Sequence, residues 1–415
     1  MSNADWKLDG PIIVRKYGGS SLADIPRLRE VARDLRAARA AGQHLVVVVS
    51  AMGDQTDQLV HLAHAANPQP PRRELDMLLT VGERISMSLL SMALAAEGVP
   101  ALSLTGSQVG IITDASHTDA RIREVKAFRI REALAAGKIV VVAGFQGYSA
   151  ETREITTLGR GGSDTTAVAL AHALGAERCE ILKDVAGVMT ADPKLVPSAR
   201  CLESLTYEEM QAIAAAGCGV VHPRAVAYAA RHGVKLFVAS SFVAEPGTTI
   251  AAAPGDRPLP AATLHALAIT LATGQARLHL RWPDAAPPAE VLQLILRATA
   301  AGPLTAEWFA SGERWHWEGW GRNDRLADSA AAACVLASRD QRLQVLWQPE
   351  QAVLTLAVSR PECWPAALHS LHSLLAQHDQ AVLRLRTDGE TVRLLVPQAE
   401  AAYLAQIVHD RLVVA

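Results

Sequence analysis

Apolar runs without polar alternation recur through the first 250 positions, at 11–15, 45–50, 101–104, 139–144, 179–185 and 235–240. They are rich in Val and Ile, a pattern that predicts strands covered on both faces of a parallel sheet. Between them the apolar spacing becomes helical. In 24–42, Leu28, Val31, Leu35 and Ala38 fall on one stripe; Asp24 is placed to cap its start, Pro26 fits the first turn and Gly42 suits the end. Thr206-x-x-Glu209 forms a capping-box pattern ahead of Met210 and Ile213, with Gly217 placed to close the helix. Such alternation predicts an α/β sandwich around a mainly parallel sheet.

The pattern changes near residue 250. Positions 251–262 (AAAPGDRPLPAA) read as a linker. Beyond it, seven of the eight tryptophans lie after residue 280. Strand-like pieces fall at 266–272, 277–282, 343–347, 352–359, 381–386 and 391–396, and helical ones at 288–298, 328–338, 364–376 and 399–412. The alternation predicts two α+β units of about seventy residues each, with no residue-level repeat between them. The expected domains are 1–250, the linker, and 263–415.

The 415 residues are half hydrophobic and 20% charged, with a formal net charge of −2. This composition suits a chain that buries a large core and argues against disorder, collagen or a coiled coil as the overall class. No block of Lys and Arg gives a footprint for nucleic acid or anionic lipid. Continuous apolar stretches such as 45–49 are strand-sized and far short of a membrane span, and residues 1–10 are too polar for a signal peptide. Five cysteines, at 179, 201, 218, 334 and 363, form no C-x-x-C pair, against a disulfide framework or a zinc site. A cytoplasmic protein is expected.

Two glycine-rich elements carry the candidate chemistry. Lys16-Tyr17-Gly18-Gly19-Ser20-Ser21 directly follows the first predicted strand. Paired glycines let backbone N–H groups approach an anion, and the lysine supplies charge; a plain strand-to-helix turn is the competing reading. Thr157-Leu158-Gly159-Arg160-Gly161-Gly162-Ser163-Asp164-Thr165-Thr166 opens a predicted helix. It combines backbone donors and a helix start with an Arg and an Asp that a structural loop does not require. Lys183-Asp184 and Thr190-Ala191-Asp192-Pro193-Lys194 add ionisable groups just past a buried strand, where open α/β sheets place ligands. Neither G-x-x-x-x-G-K-[ST] nor G-x-G-x-x-G occurs.

Read in order, KYGGSS (16–21), VVVVSAMGDQTDQL (46–59), LLTVGERIS (78–86), VVAGFQG (141–147), TTLGRGGSDTTAVALA (156–171), KDVAGVMTADPK (183–194), HPRAV (222–226) and SSFVAEPGT (240–248) resemble the aspartate kinases of the amino-acid kinase superfamily over residues 11–250. The resemblance implies an αβα sandwich that moves the γ-phosphoryl of Mg-ATP to the side-chain carboxylate of L-aspartate. That chemistry relies on positioning and charge stabilisation. It implies that Lys16 contacts the transferring phosphoryl, that Gly18, Gly19 and Ser20 cradle it, and that Asp164 holds the site's lysine. Arg160 would fork onto the α-carboxylate and Glu83 would accept the ammonium, with Ser50, Thr56, Gly161, Gly162 and Ser163 beside the substrate. Lys183, Asp184, Met189 and Lys194 would face the nucleotide. No protein-held metal is implied, because Mg²⁺ arrives on ATP. Taken alone, Glu83 reads more readily as a solvated helix-start carboxylate.

The chain departs from the family on the nucleotide side. Met189 stands where the family has Tyr, Lys194 where it has Arg, and Gly219 where it has the Lys before V-L-H-P, while Lys183 brings a cation to a normally neutral position. Lys183 either replaces the missing charge or reflects drift in a weaker ATP pocket. Beyond the linker the family carries ACT-type βαββαβ regulatory units. Strand and helix order here is compatible with two of them, but their recognisable stretches are missing and Pro283-Asp284-Ala285-Ala286-Pro287-Pro288 stands near the first. The expectation is an ACT-like, ferredoxin-like region that packs and dimerises, giving a homodimer or higher homo-oligomer, without binding lysine or threonine. The tryptophans at 308, 315, 317 and 320 read as core or interface anchors, with a ligand cage flanked by Arg314 and Arg322 left open. Two other functions stay open as well: a kinase acting on a modified aspartate, and a catalytically silent amino-acid-binding homologue.

Overall fold

The computed structural model describes residues 8–243, 246–252, 266–284, 287–300, 305–311, 314–358, 364–377, 384–387 and 391–413. The predicted linker from 253 onward, positions 285–286 and 381–383, Cys363, and the side chains of Trp308 and Arg314 lie outside that description. The chain forms two compact units. One holds Met1–Met189, Cys201–Ala214 and Cys218–Pro260; the other holds Thr190–Arg200, Ala215–Gly217 and Ala261–Ala415.

In the first unit the elements run β1 (Ile12–Tyr17), α1 (Ile25–Ala40), β2 (His44–Val49), α2 (Gln55–Ala66), α3 (Arg72–Ala96), β3 (Ala101–Leu104), α4 (Gly106–Val109), β4 (Ile111–Thr113), β5 (Ile122–Val125), α5 (Phe128–Ala135), β6 (Ile139–Ala143), β7 (Gln146–Ser149), β8 (Ile155–Thr157), α6 (Gly162–Leu174), β9 (Arg178–Lys183), β10 (Ser204–Thr206), α7 (Tyr207–Ala215), α8 (Pro223–His232), β11 (Leu236–Ser240) and β12 (Thr248–Ala251). The main sheet has the order β10-β12-β11-β9-β1-β2-β6-β3. Every pair is parallel except β11 with β12.

Five of the six apolar runs become its inner strands because both faces are covered, whereas 101–104 forms the partly buried edge strand β3. Ile13, Leu45, Val47, Val49, Ile139 and Val141 pack with Leu28, Val31 and Leu35 of α1 and with Leu90 and Leu94 of α3. The alternate residues Val14, Val46, Val48, Val140 and Val142 are equally buried and face the side crossed by α6. Asp24 caps α1 by accepting from Arg27 N–H at 2.9 Å, and the Thr206/Glu209 capping box forms in both directions.

Two features of this unit were not foreseen. A second sheet, ordered β5-β4-β7-β8, is built from strands of three or four residues, too short to leave a periodic signal. And although the sequence shows only strand-sized apolar stretches, the 25-residue α3 is long and apolar enough to cross a membrane by length and composition. It is instead a core helix, with Leu79, Met87, Leu90 and Leu94 buried.

The second unit runs β13 (Ala266–Trp282), α9 (Ala289–Ala300), β14 (Thr305–Ser311), β15 (Arg314–Arg322), α10 (Asn323–Arg339), β16 (Gln344–Val358), α11 (Trp364–Gln377), β17 (Arg384–Thr387), β18 (Thr391–Pro397) and α12 (Gln398–Leu412), a βαββα order stated twice. One antiparallel sheet, β14-β15-β13-β16-β18-β17, reads the same from either edge. The runs predicted as separate strands at 266–272 and 277–282 are one strand, β13, and those at 343–347 and 352–359 fall together on β16 (Gln344–Val358) as far as residue 358. The ladder between the two long strands shifts register near Ala266, and again on either side of Gln275, where left-handed Gly274 (φ 66°) and Glu350 (φ 56°) lie. Next to each of these two residues a glutamine donates its side-chain amide two residues back: Gln275 to Thr273 O at 2.9 Å, and Gln351 to Pro349 O at 2.7 Å. Gln275 and Gln351 are also cross-strand partners, and a residue-level repeat the sequence reading did not detect, Q-A-x-L-x-L, recurs at 275–280 and 351–356.

The tryptophan-rich hairpin β14–β15 was likewise unforeseen. Trp315 and Trp317 join the core under α9 and α10, and Trp320 packs on Val353 and Leu395.

Candidate active site

Lys16 is the fifth residue of β1 and shares a face with Val14, toward α6. The first turn of α6 carries Asp164. The two side chains are 5% and 3% exposed and meet with Nζ 2.7 Å from Oδ1, although 148 positions separate them by number. Lys183, the last residue of neighbouring β9, places Nζ 3.7 Å from Asp164 Oδ2 and donates to the carbonyl of Gly219 at 3.2 Å. His222 N–H donates to Oδ2 at 3.4 Å. Burial works against the charge of Asp164, but Lys16 and then Lys183 outweigh it, and its pKa is lowered. Burial likewise lowers the pKa of Lys183, a loss that Asp164 resists and Lys16 adds to. One carboxylate between two ammonium groups leaves a net positive charge in a desolvated place, the requirement for an anion.

Around this cluster a Cβ would find ordinary contact distances at Gly18 but no room at Gly19 or Gly161. A Cβ on Gly18 would lie 3.9 Å from both Lys16 Nζ and Lys183 Cγ, and one on Gly19 would meet the carbonyl oxygens of Ala51 and Gly53 at 2.9 Å. Gly53 N–H donates to Gly19 O at 3.0 Å, and Ser50 N–H to Tyr17 O at 3.2 Å, locking the KYGGSS turn against the segment after β2. Gly161, at φ 70°, starts α6 so close to His222 that a Cβ would stand 2.1 Å from the ring. Gly162 packs on Phe145, and Ser163 closes on Gly144.

Glu83 lies in mid-helix on α3 and is 3% exposed, not a solvated helix-start group. Gly82 beside it lets the helix approach Ala51, since a Cβ there would stand 2.7 Å from Ala51 Cβ. Ala51 N–H donates to Glu83 Oε1 at 3.1 Å, while Oε2 is buried without a hydrogen-bond partner. Burial pushes the pKa up to about 7 against that bond. An orphaned buried carboxylate oxygen is an unfilled acceptor.

Lys16, Gly18, Gly19, Ser50, Glu83, Gly161, Gly162, Ser163, Asp164 and Lys183 therefore gather at the carboxyl ends of β1, β2, β6 and β9. Arg160 is exposed on the turn before α6, Thr56 is half-buried on α2, and Asp184 is exposed after β9. Ser20 holds Arg27 Nη1 on its carbonyl at 2.7 Å. Met189 makes a backbone bridge to Cys201. Lys194 is exposed on the segment that belongs to the second unit.

Sequence reading missed Gln55, whose Oε1 is buried and unpaired and would lie 3.6 Å from a Cβ on Gly82. It also missed Asp76 and Arg224, which grip the Arg160 turn. Asp76 stands seven residues before Glu83, two helical turns on the same face, and that spacing was the available signal.

A family model described as the amino acid kinase family matches residues 11–240. The aspartokinase of Corynebacterium efficiens is 54% identical over 257 residues, which is 62% of this chain and 61% of that protein, less than two thirds of the relative's own length. A crystal structure of aspartate kinase from Synechocystis aligns at 35% identity and TM-score 0.53, covering 96% of this chain and 69% of that one. E. coli aspartokinase III, crystallised with aspartate and ADP, aligns at TM-score 0.71 over 97% of this chain and 99% of its own. At 21% identity the likeness is one of fold.

Proposed function

We propose that this chain, which belongs to the amino acid kinase family in its aspartokinase branch, transfers the γ-phosphoryl of ATP to the side-chain carboxylate of L-aspartate. The observation that carries the reading is the Lys16–Asp164–Lys183 cluster, two ammonium groups on one buried carboxylate. In the transfer a carboxylate oxygen forms a bond to phosphorus, the bond to the β,γ-bridging oxygen breaks, and ADP leaves. No proton moves, so the protein's work is alignment and charge.

Lys16 and the amide of Gly19 would hold the phosphoryl, since Gly18 N–H already donates to Leu182 O at 3.2 Å, and Asp164 would keep both lysines in place. Glu83 Oε2 suits the substrate ammonium, and Arg160, free of partners on its turn, suits the α-carboxylate. Lys183 reaches the Gly219 carbonyl, the position at which the resemblance expects a lysine, which supports the view that it supplies the missing cation to the ATP phosphates. Among the described residues no group of three or more His, Cys, Asp or Glu is placed to hold a metal. Magnesium is taken to come with the triphosphate and to be held mainly by it.

We extend the reading to the second unit as an ACT-like pairing region of a homo-oligomer, in a cytoplasmic enzyme opening aspartate-derived amino-acid synthesis. Incubation with ATP, Mg²⁺, aspartate and hydroxylamine should yield aspartyl hydroxamate. Absence of hydroxamate with aspartate, but its appearance with an N-substituted aspartate, would transfer the reading to the modified substrate.

A further inference from the structure

The turn that carries Arg160 is gripped from two sides by residues that the proposed reaction leaves without a task. From α3, wholly buried Asp76 accepts from Thr157 Oγ1 at 2.6 Å and from Thr118 N–H at 3.0 Å, and His117 Nδ1 lies 2.7 Å from its other oxygen. Thr118 has a φ of 68°, a costly conformation for a β-branched residue that must be imposed from outside. Ala120 N–H then donates to Thr157 O at 2.9 Å, tying the 117–120 loop to the strand that leads into the turn. From the first turn of α8, Arg224 donates Nη1 to Leu158 O at 3.0 Å and pairs Nη2 with Asp119 on that same loop. Gly159, at φ 73°, sits so close that a Cβ would meet Asp119 Oδ1 at 3.0 Å and Thr118 O at 3.1 Å.

We propose that Asp76 and Arg224 are positioning residues for Arg160: they fix the 158–161 turn so that its guanidinium is presented to the substrate's α-carboxylate. This inference rests on the amino-acid-substrate reading above. Forked recognition of a carboxylate by Arg tolerates little misplacement, and Arg160 is a long, exposed side chain whose only restraint is its backbone. The same helix carries Asp76 and, two turns on, Glu83. A single rigid element thereby sets the spacing between the acceptor for the ammonium and the donor for the α-carboxylate, which selects substrates with both groups on one carbon.

Arg224→Met and the milder Arg224→Lys, each alone and combined with Arg160→Met, test this by steady-state kinetics together with amide hydrogen exchange. Arg224→Met should raise the aspartate KM about tenfold while the ATP KM and kcat stay within about twofold. It should add less than about twofold once Arg160 is already Met, and the amides of Leu158 and Gly162 should exchange faster. Parallel rises in the aspartate and ATP KM, or effects of the two substitutions that multiply, would overturn the proposal. If the wild type makes no acyl phosphate from aspartate, the substrate reading falls, and exchange alone decides the grip: unchanged protection at 158–162 in Arg224→Met overturns it.

Discussion

Glu83 carries a cost in stability that the proposed substrate ammonium would relieve. Burial raises its folded pKa to about 7, above the 4.5 of an ordinary glutamate. Between pH 4.5 and 7 the native state therefore holds more proton than the unfolded chain, and stability falls as pH rises. Above pH 7 the ionised, half-satisfied carboxylate carries a penalty of about 3 kcal/mol, which a substrate ammonium relieves. kcat/KM for aspartate should climb with pH to a plateau above an apparent pKa near 7, and Glu83→Gln should abolish that limb while raising Tm at pH 8. A pH-independent kcat/KM would contradict the assignment. Lys183→Ala should raise the ATP KM about tenfold, leaving the aspartate KM little changed; an unaltered ATP KM would mean that the residue compensates for nothing. Lys16 and Asp164 could be read from the sequence because their motifs are dense in glycine and charge. The depth of Glu83, and the grip of Asp76 and Arg224 on the Arg160 turn, could not, because each depends on contacts distant along the chain.

At the scale of elements, the turn after β1 works only while nothing separates it from the segment after β2. Gly19→Ala would drive a methyl into two backbone carbonyls at 2.9 Å, neither of which can swing aside as a side chain would. An activity loss of about a hundredfold, with circular dichroism unchanged, is expected; full activity would show that the turn does not shape the site. The doubly covered strands of the first unit were legible because burial on both faces leaves continuous apolar runs. The β14–β15 hairpin was not. Tryptophans alternate there with His316 and Glu318, of which His316 is half-buried and Glu318 fully buried. Glu318 accepts from Arg277 Nη2 at 2.9 Å and Trp320 Nε1 at 2.7 Å, a polar network that hydrophobic periodicity does not register.

At the scale of the whole molecule, the chain alternates between its two units. Thr190–Arg200, which by sequence continues the nucleotide-side motif, belongs to the second unit. Ala191 and Val196 pack with β13, β16, α11 and α12, and Thr190 Oγ1 lies 2.9 Å from buried His409 Nε2. Nothing in the local pattern of TADPK announces that packing. The double βαββα order agrees with the ACT-like expectation, while the altered 283–288 stretch motivates one further prediction: calorimetric titration with lysine or threonine should show no micromolar binding, and such binding of either would refute it.

Whether Lys16 and Lys183 serve phosphoryl transfer to a side-chain carboxylate is decided by the path of oxygen. Aspartate labelled with ¹⁸O in its side-chain carboxylate is incubated with ATP and Mg²⁺, and the product is cleaved with hydroxylamine. The account predicts phosphate carrying one ¹⁸O, formed by the wild type and not by Lys16→Met. Unlabelled phosphate from the wild type, or labelled phosphate from the variant at an equal rate, would contradict it.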